Sequence, residues 1–429
     1  MARDDRHPRR RTMRARVAAA GAALALTAPM AACGSDGEGG VPTLNLYQFP
    51  VESFQHVIDT CNQQANGRYR VVYQVLPRTA DDQRVQMVRR LAAEDDSMDI
   101  LGLDVTWTQE FASADWILEW TGADKAAIED GTLPGPLASA EYKNRLYAAP
   151  NNTNVQLLWY RKDLVSSPPK TWDEMISQAQ RLKSAGKKPF QILTMGAQYE
   201  GLVVLFNSLV ASAGGHVVDD SGDKAVMDAG TVKALRVMKK LATSGVVSPS
   251  FSNSIEDDVR LAYQSGAGAF EVNWPYVYAS MQGDAPQILA KTGWARYPAI
   301  DANTPSVTTI GGSNMAVSAY SKHPGLAFEA IKCLRNAENQ EYLAINAGQA
   351  PSIEAVYDRP DMAKAYPMRE TLLEELKDAA PRPRTPAYQN LSTVVAAELS
   401  PPSAIDPQRT ADSLRTSIQK AIDSQGVLP

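Results

Sequence analysis

Between Thr43 and Asp104 the spacing of apolar residues switches repeatedly, and this switching constrains the fold more than any other feature of the chain. TLNLYQF, residues 43–49, alternates apolar and polar positions and predicts a strand. Residues 51–65 then place Val51, Phe54, Val57, Ile58 and Cys61 at helical spacing. YRVVYQV (69–75) predicts a second strand, and 81–93 an amphipathic helix with Val85, Met87, Val88 and Leu91 on its apolar face. DILGL (99–103) is a short buried strand that ends at Asp104. Strand, helix, strand, helix, strand is the pattern of a doubly wound α/β sheet, because parallel neighbours need a crossover long enough to hold a helix. Such sheets bind ligands beyond the carboxyl ends of their strands, and Asp104 and Trp107 lie at one such end.

Further along, Pro134, Gly135 and Pro136 mark a loop. Leu146–Ala149 and Val155–Tyr160 predict strands on either side of the polar run Asn151-Asn152-Thr153-Asn154, which suits a turn. Thr171 with Glu174 predicts a capping box before a helix over 172–183. A length of 429 residues suits two large lobes, at roughly 150 residues per domain. A chain of that size buries a sufficient core without help from a metal or a disulfide.

The first 32 residues do not belong to that body. Seven Arg crowd residues 3–16, residues 17–32 (VAAAGAALALTAPMAA) are small and apolar, and Cys33 follows before GSDGEGG. A basic start, a short apolar run and small residues before a break describe a secretory signal peptide over 1–32. The apolar run falls short of the roughly 20 residues a membrane span needs. Ala31-Ala32-Cys33-Gly34 resembles a lipobox, with Met30 where that pattern prefers Leu, and this resemblance implies a lipid-attached Cys33. Residues 33–42 are then the lipidated Cys and a soft Gly-rich tether, and the protein is exported and anchored to the outer face of the cytoplasmic membrane. Met13 offers an alternative start. Setting aside the leader, whose seven Arg face two Asp, takes the formal net charge from −5 to −10. An acidic body lacks the basic footprint that nucleic acid requires.

Enzyme motifs are missing. His7, His56, His216 and His323 are scattered and form no HExxH. There is neither a G-x-S-x-G elbow nor a P-loop. Ser167-Pro-Pro-Lys170 matches S-x-x-K, but its prolines deny it the helical turn that would align Ser with Lys. No cofactor, metal or catalytic residue is expected.

LYAAPNNTN, the strand ending WYRKDL, then PPKTWDEM, AYQSGAG with AFEVNW, TIGGSNMAV with AFEAIKCL, and GQAP occur in that order. In this order the chain resembles the large extracellular sugar-binding proteins of the maltose-binding class, over nearly all of 43–429. LDVTWTQEFA, TLPGPLASA, EGLVVLFNSL, EVNWPYVYASM and RPRTPAYQNLS resemble, more narrowly, the trehalose-binding lipoproteins of actinobacterial ABC importers. The resemblance implies a type II periplasmic-binding-protein fold, two α/β lobes around a hinged central cleft. The first lobe would hold 43–150 plus 305–348, the second 151–304 plus 349–429. It implies a monomeric binding protein, not an enzyme. Such a protein takes a sugar, trehalose above others, and delivers it to ABC permease subunits with a cytoplasmic ATPase, touching the membrane through its lipid alone.

A sugar offers apolar C–H faces and many hydroxyls, so its site needs an aromatic platform and side chains that hydrogen-bond in pairs. With the resemblance as guide, Trp274 is the platform, although core packing would also account for it. Asp104 accepts hydroxyls or caps a helix. Asn154 binds or serves a turn. Glu256, with Asp257 and Asp258 as rivals, binds or sits as a first-turn acid. Arg382, with Arg384 as rival, binds. Gly312, beside Gly311, admits the ligand to the backbone or makes a turn. Trp107 is a second wall or a core residue, and Gln48 and Glu52 follow the first strand. The resemblance puts Cys61 and Cys333 in the first lobe, where export favours a disulfide between them over two free thiols. The rival readings are a surface glycoside hydrolase with two carboxylates ~5–10 Å apart, and an importer protein for maltose, a glycerol phosphodiester or a peptide.

Overall fold

The structure is a computed structural model that describes residues 40–424. The leader, Cys33 and most of the tether lie outside the described residues. In chain order the strands are β1 (Thr43–Gln48), β2 (Arg70–Val75), β3 (Ile100–Asp104), the short hairpin β4 (Glu141–Tyr142) and β5 (Arg145–Leu146), β6 (Ala149–Asn154), β7 (Leu157–Arg161), β8 (Gln191–Leu193), β9 (Gly268–Asn273), β10 (Thr292–Ala295) and β11 (Gly311–Val317).

Each lobe is built on one sheet, ordered β2-β1-β3-β11-β6 in the first lobe and β10-β7-β9-β8 in the second. β1 runs parallel to β2 and β3, with the helices Phe54–Ala65 and Ala80–Leu91 as crossovers, as the switching of periods predicts. The first crossover buries Phe54, Val57, Ile58, Cys61 and Ala65. The second opens on Thr79, whose side chain accepts the Asp82 N–H, and carries acids in its first turn and Arg89 and Arg90 in its last, matching the helix dipole. Val85, assigned to its apolar face, is 40% exposed.

Three local expectations give way. Residues 134–136 open a helix, Pro134–Ser139, because Pro at the first helical position has its φ preset and needs no N–H. The Asn151–Asn154 run is strand, not turn. It lies in β6, where the Asn152 side chain accepts the Ser313 N–H at 2.9 Å and the Thr153 N–H reaches the Ala350 carbonyl at 2.9 Å. Such pairing overrides the poor strand propensity of Asn. Thr171 does cap the helix Trp172–Ser184, accepting the Glu174 N–H at 3.1 Å, but the Glu174 carboxylate reaches back to the Lys170 N–H instead.

The lobes are linked by the turn from β6 to β7, the stretch from β10 to β11, and the stretch after the helix Ala337–Ala347. Residues 151–154 run in the first sheet with the rest of β6. Residues 307–310 lean on the second lobe, through Val307 N–H to Ser212 Oγ (2.9 Å), Thr309 N–H to Ser208 Oγ (3.1 Å) and Ile310 N–H to the Ala380 carbonyl (3.0 Å). The second sheet is buried on both faces. Leu158, Phe270 and Phe206 pack on one side, and Leu157, Trp159 and Tyr357 on the other. Cys61 and Cys333 form a disulfide that ties the helix Phe54–Ala65 to the helix Pro324–Leu334 in the first lobe. No described helix is long and apolar enough to cross a membrane.

Candidate functional site

The first sheet delivers three of the candidate residues to one edge. Asp104 ends β3, Asn154 ends β6 and Gly311 opens β11. In the ladders Asp104 stands opposite Ser313, and Asn154 opposite Gly311. Trp274 follows the last residue of β9 in the second lobe and lies against that edge. A Cβ added at Gly311 would sit 2.8 Å from the indole ring, so only glycine allows the two lobes to meet there. Gly312 has φ 121°, and a Cβ on it would come within 2.5 Å of the Asn152 carbonyl.

Arg382 closes the arrangement from the second lobe. Pro381 and Pro383 flank it in an extended segment, and Ala380 pairs with Thr309 beside the β10–β11 connection. The guanidinium is buried. It donates to Asp104 at 2.9 Å and to Glu200, and lies over the Tyr388 ring. Burial opposes its charge, but the pull of Asp104, Tyr388 and Glu200 outweighs that and keeps it cationic. Arg384 is exposed. Asp104 also accepts the Thr106 N–H (3.0 Å) and hydroxyl (2.8 Å), so it holds its turn and the arginine together.

Glu200, which sequence reasoning missed, opens the helix Glu200–Ser212, every residue of which is buried except Ala211. It accepts from Arg382, Tyr388 and Ser392. Burial raises its pKa above the usual carboxylate range, against the counter-pull of Arg382. The signal was a lone acid at the head of the otherwise apolar EGLVVLFNSL.

Glu256 heads the helix Glu256–Gln264 and accepts the Tyr199 hydroxyl at 2.5 Å. Burial raises its pKa, while the bond from Tyr199 opposes the rise. Its two rivals face elsewhere. Asp257 pairs with Arg78 and Arg260, and Asp258 accepts the Ile255 N–H. Trp107 is 2% exposed and stacks on Phe111, which makes it core. Glu52 is exposed, whereas Gln48 is buried with Nε2 3.4 Å from Ser313 Oγ.

The six candidates thus form a continuous band between the lobes, running from Asp104 and Arg382 past Gly312 and Asn154 to Trp274 and Glu256. Within or beside it, Gln48 Oε1, Asn154 Oδ1, both amide atoms of Gln156 and Arg382 Nε are buried without a protein partner among the described residues. Buried polar atoms of that kind bond to water or to a ligand. An indole face with such donors and acceptors suits a neutral, polyhydroxylated molecule. No cluster able to hold a metal ion occurs among the described residues.

The profile of the bacterial extracellular solute-binding proteins matches residues 51–341. The chain belongs to that family. A probable ABC transporter-binding protein of Deinococcus radiodurans is 30% identical over 321 residues, 72% of this chain and 75% of that protein. Among solved structures, maltose-bound MalE3 of T. maritima matches with a TM-score of 0.79 at 31% identity, covering 90% of this chain and all of that one. An ABC transporter solute-binding protein of Thermotoga lettingae, bound with α-D-tagatose, matches with a TM-score of 0.78 at 21% identity over 89% of this chain and 100% of that one, a likeness of fold. The two-lobe periplasmic-binding fold is therefore established.

The lobes of this solute-binding protein also touch at the rim. Arg78 of the first lobe meets Asp257 of the second at 3.1 Å, and Asp81 accepts from Gln389 at 2.7 Å. Both pairs are partly or largely exposed and contribute little each.

Behind Trp274 lies Glu271, 1% exposed in β9. Burial pushes its carboxyl up to about 8, against the bond from Asn273 and the Arg260 cation. Its pKa is therefore higher folded than unfolded. Its contribution to stability is full below the unfolded value of 4.5 and is lost as pH rises through about 8. Glu271→Gln is expected to raise stability at pH 8 by roughly 4 kcal/mol and to leave it nearly unchanged at pH 4. Melting curves of both proteins across that range check this; parallel profiles would show that Glu271 does not titrate there.

Proposed function

We propose that this protein captures a neutral sugar between its lobes and presents it, unaltered, to the permease of an ABC importer. The observation that carries the reading is the Trp274 indole laid on Gly311 of the opposite lobe, on the strand edge that also carries Asn154 and, bonded to Arg382, Asp104, with Glu256 tied to the Trp274 peptide through Asn273. The indole would stack on the sugar's C–H face, the polar ring would bond its hydroxyls, and Gly312 would admit it to the backbone. Bridging both lobes stabilises the closed form, which the permease then meets. Support comes also from the relative whose structure holds maltose. Trehalose is the first candidate, on the strength of the narrower sequence motifs. Export by residues 1–32, anchoring through Cys33 and action as a monomer belong to the same proposal.

A thermal-shift panel of trehalose, maltose, other sugars and a glycerol phosphodiester tests the ligand class. Stabilisation by a neutral sugar is expected, and stabilisation by the phosphodiester alone would overturn it. Incubation with trehalose is expected to release no glucose; sustained release would favour a glycosidase. For Trp274→Ala, calorimetry is expected to show sugar binding weakened by about 1–3 kcal/mol as stacked apolar area is lost. Unchanged affinity removes Trp274 from the site.

A further inference from the structure

We propose that Asn273 and Glu271 are positioning residues for the sugar site: the Asn273 carboxamide holds Trp274 and Glu256 in a fixed relation, and Glu271 anchors that carboxamide from behind. The inference rests on the reading of Trp274 and Glu256 as ligand contacts.

Asn273 is fully buried at the end of β9. Its Oδ1 accepts the Trp274 N–H at 2.9 Å. Its Nδ2 donates to the Glu256 carbonyl at 3.2 Å and to Glu271 Oε1 at 2.8 Å. Its backbone carbonyl accepts the Trp159 indole N–H at 3.1 Å. One amide thus pins the peptide that carries the platform to the first residue of the helix that carries the acid. The two helices also meet farther along, through Arg260 and Gln264 to Ser280 and Tyr276 to Asp257, but Asn273 is the side chain that joins the Glu256 peptide to the Trp274 peptide.

A carboxamide has a donor end and an acceptor end of nearly equal size. Turned over, Asn273 would set its NH2 against the Trp274 N–H and its oxygen against the Glu256 carbonyl. The contacts with Trp274 and Glu256 fix the orientation, and Glu271 Oε1 accepts from the same Nδ2 and holds the carboxamide in place with a third. Among the described residues Glu271 bonds to no other side chain, and its second oxygen has no protein partner. A buried acid with one bond is costly to fold around. Its presence in a core strand is accounted for by its effect on Asn273 and, through it, on the site.

The test compares Glu271→Leu, Glu271→Gln, Asn273→Ala and Trp274→Ala by titration with trehalose and with maltose, together with melting temperature and the indole 15N–1H resonance of Trp274. Glu271→Leu and Asn273→Ala are expected to weaken binding by about tenfold or more, as one or two buried bonds are lost. Both are expected to shift the Trp274 resonance. Glu271→Gln keeps an acceptor for Asn273 and is expected to restore affinity to within about twofold. Glu271→Leu is expected to melt no lower than the wild type, which separates mispositioning from unfolding. Wild-type affinity and an unmoved indole resonance in Glu271→Leu overturn the proposal while Trp274→Ala still loses binding. If Trp274→Ala binds as well as wild type, the sugar-site reading itself falls and the positioning role falls with it.

Discussion

Arg382→Ala is expected to destabilise the protein by about 3–5 kcal/mol at pH 7 and to remove measurable sugar binding, because it strands two carboxylates that now share one cation. Arg382 donates to Asp104 from the first lobe and to Glu200 from the second. Without it, Glu200 retains Tyr388 and Ser392 as donors but no counter-charge. Its pKa, already raised by burial, rises further, and the folded state must take up a proton. The loss is therefore expected to shrink as pH falls through and below 4.5, where Glu200 becomes neutral in the unfolded chain as well as the folded one. Arg382→Lys is expected to recover part of the stability and little of the binding, since an ammonium cannot fork between two acids as a guanidinium does. Urea melts at pH 7 and pH 5 with matched titrations check this. A melting midpoint that does not move at pH 7 would mean that the acids find other partners.

Opening the Cys61–Cys333 bond is expected to cost up to ~5 kcal/mol in the chain-entropy model, since it closes a very long loop. The bond spans 272 residues, so in the unfolded chain it restrains nearly everything from the first helix to the last third of the protein. In the folded chain it joins two of the helices that pack on the first sheet. Cys61→Ser with Cys333→Ser, compared with wild type in denaturant, is expected to lower the midpoint, and adding reductant to the double variant is expected to change nothing further. Equal midpoints for wild type and double variant would show that the unfolded chain stays compact without the link.

The first lobe was legible because each of its crossovers is local. Leu44 to Asp104 alternates period with period, and most of its apolar positions are buried, Val75 and Val85 being the exposed exceptions. The Asn151–Asn154 run misled because its partners are remote. Ser313 and Ala350 supply the bonds that make it a strand, and neither is near it in sequence. Asp104, Trp274 and Arg382 could be named from motif order, but Arg382 could be told from Arg384 only by burial, and Glu256 from Asp257 and Asp258 only by which way each turns. Glu200 escaped because an acid heading an apolar helix reads as a dipole complement until Arg382, 182 residues away, is brought to it. Glu271 and Asn273 were hidden by their setting in an ordinary buried strand.

The order of strands in the first sheet bears on how the molecule can be made. β11 lies between β3 and β6, yet it comes last in sequence by a wide margin. Until Val317 has been synthesised, β3 and β6 each expose a bare row of amides and carbonyls, a template for unwanted pairing with other chains. A fragment ending near residue 154 would not be a small independent domain but a sheet with a slot in its middle, prone to aggregate. A nascent chain of this kind gains by reaching its destination unfolded and by closing both lobes only when the full length is present.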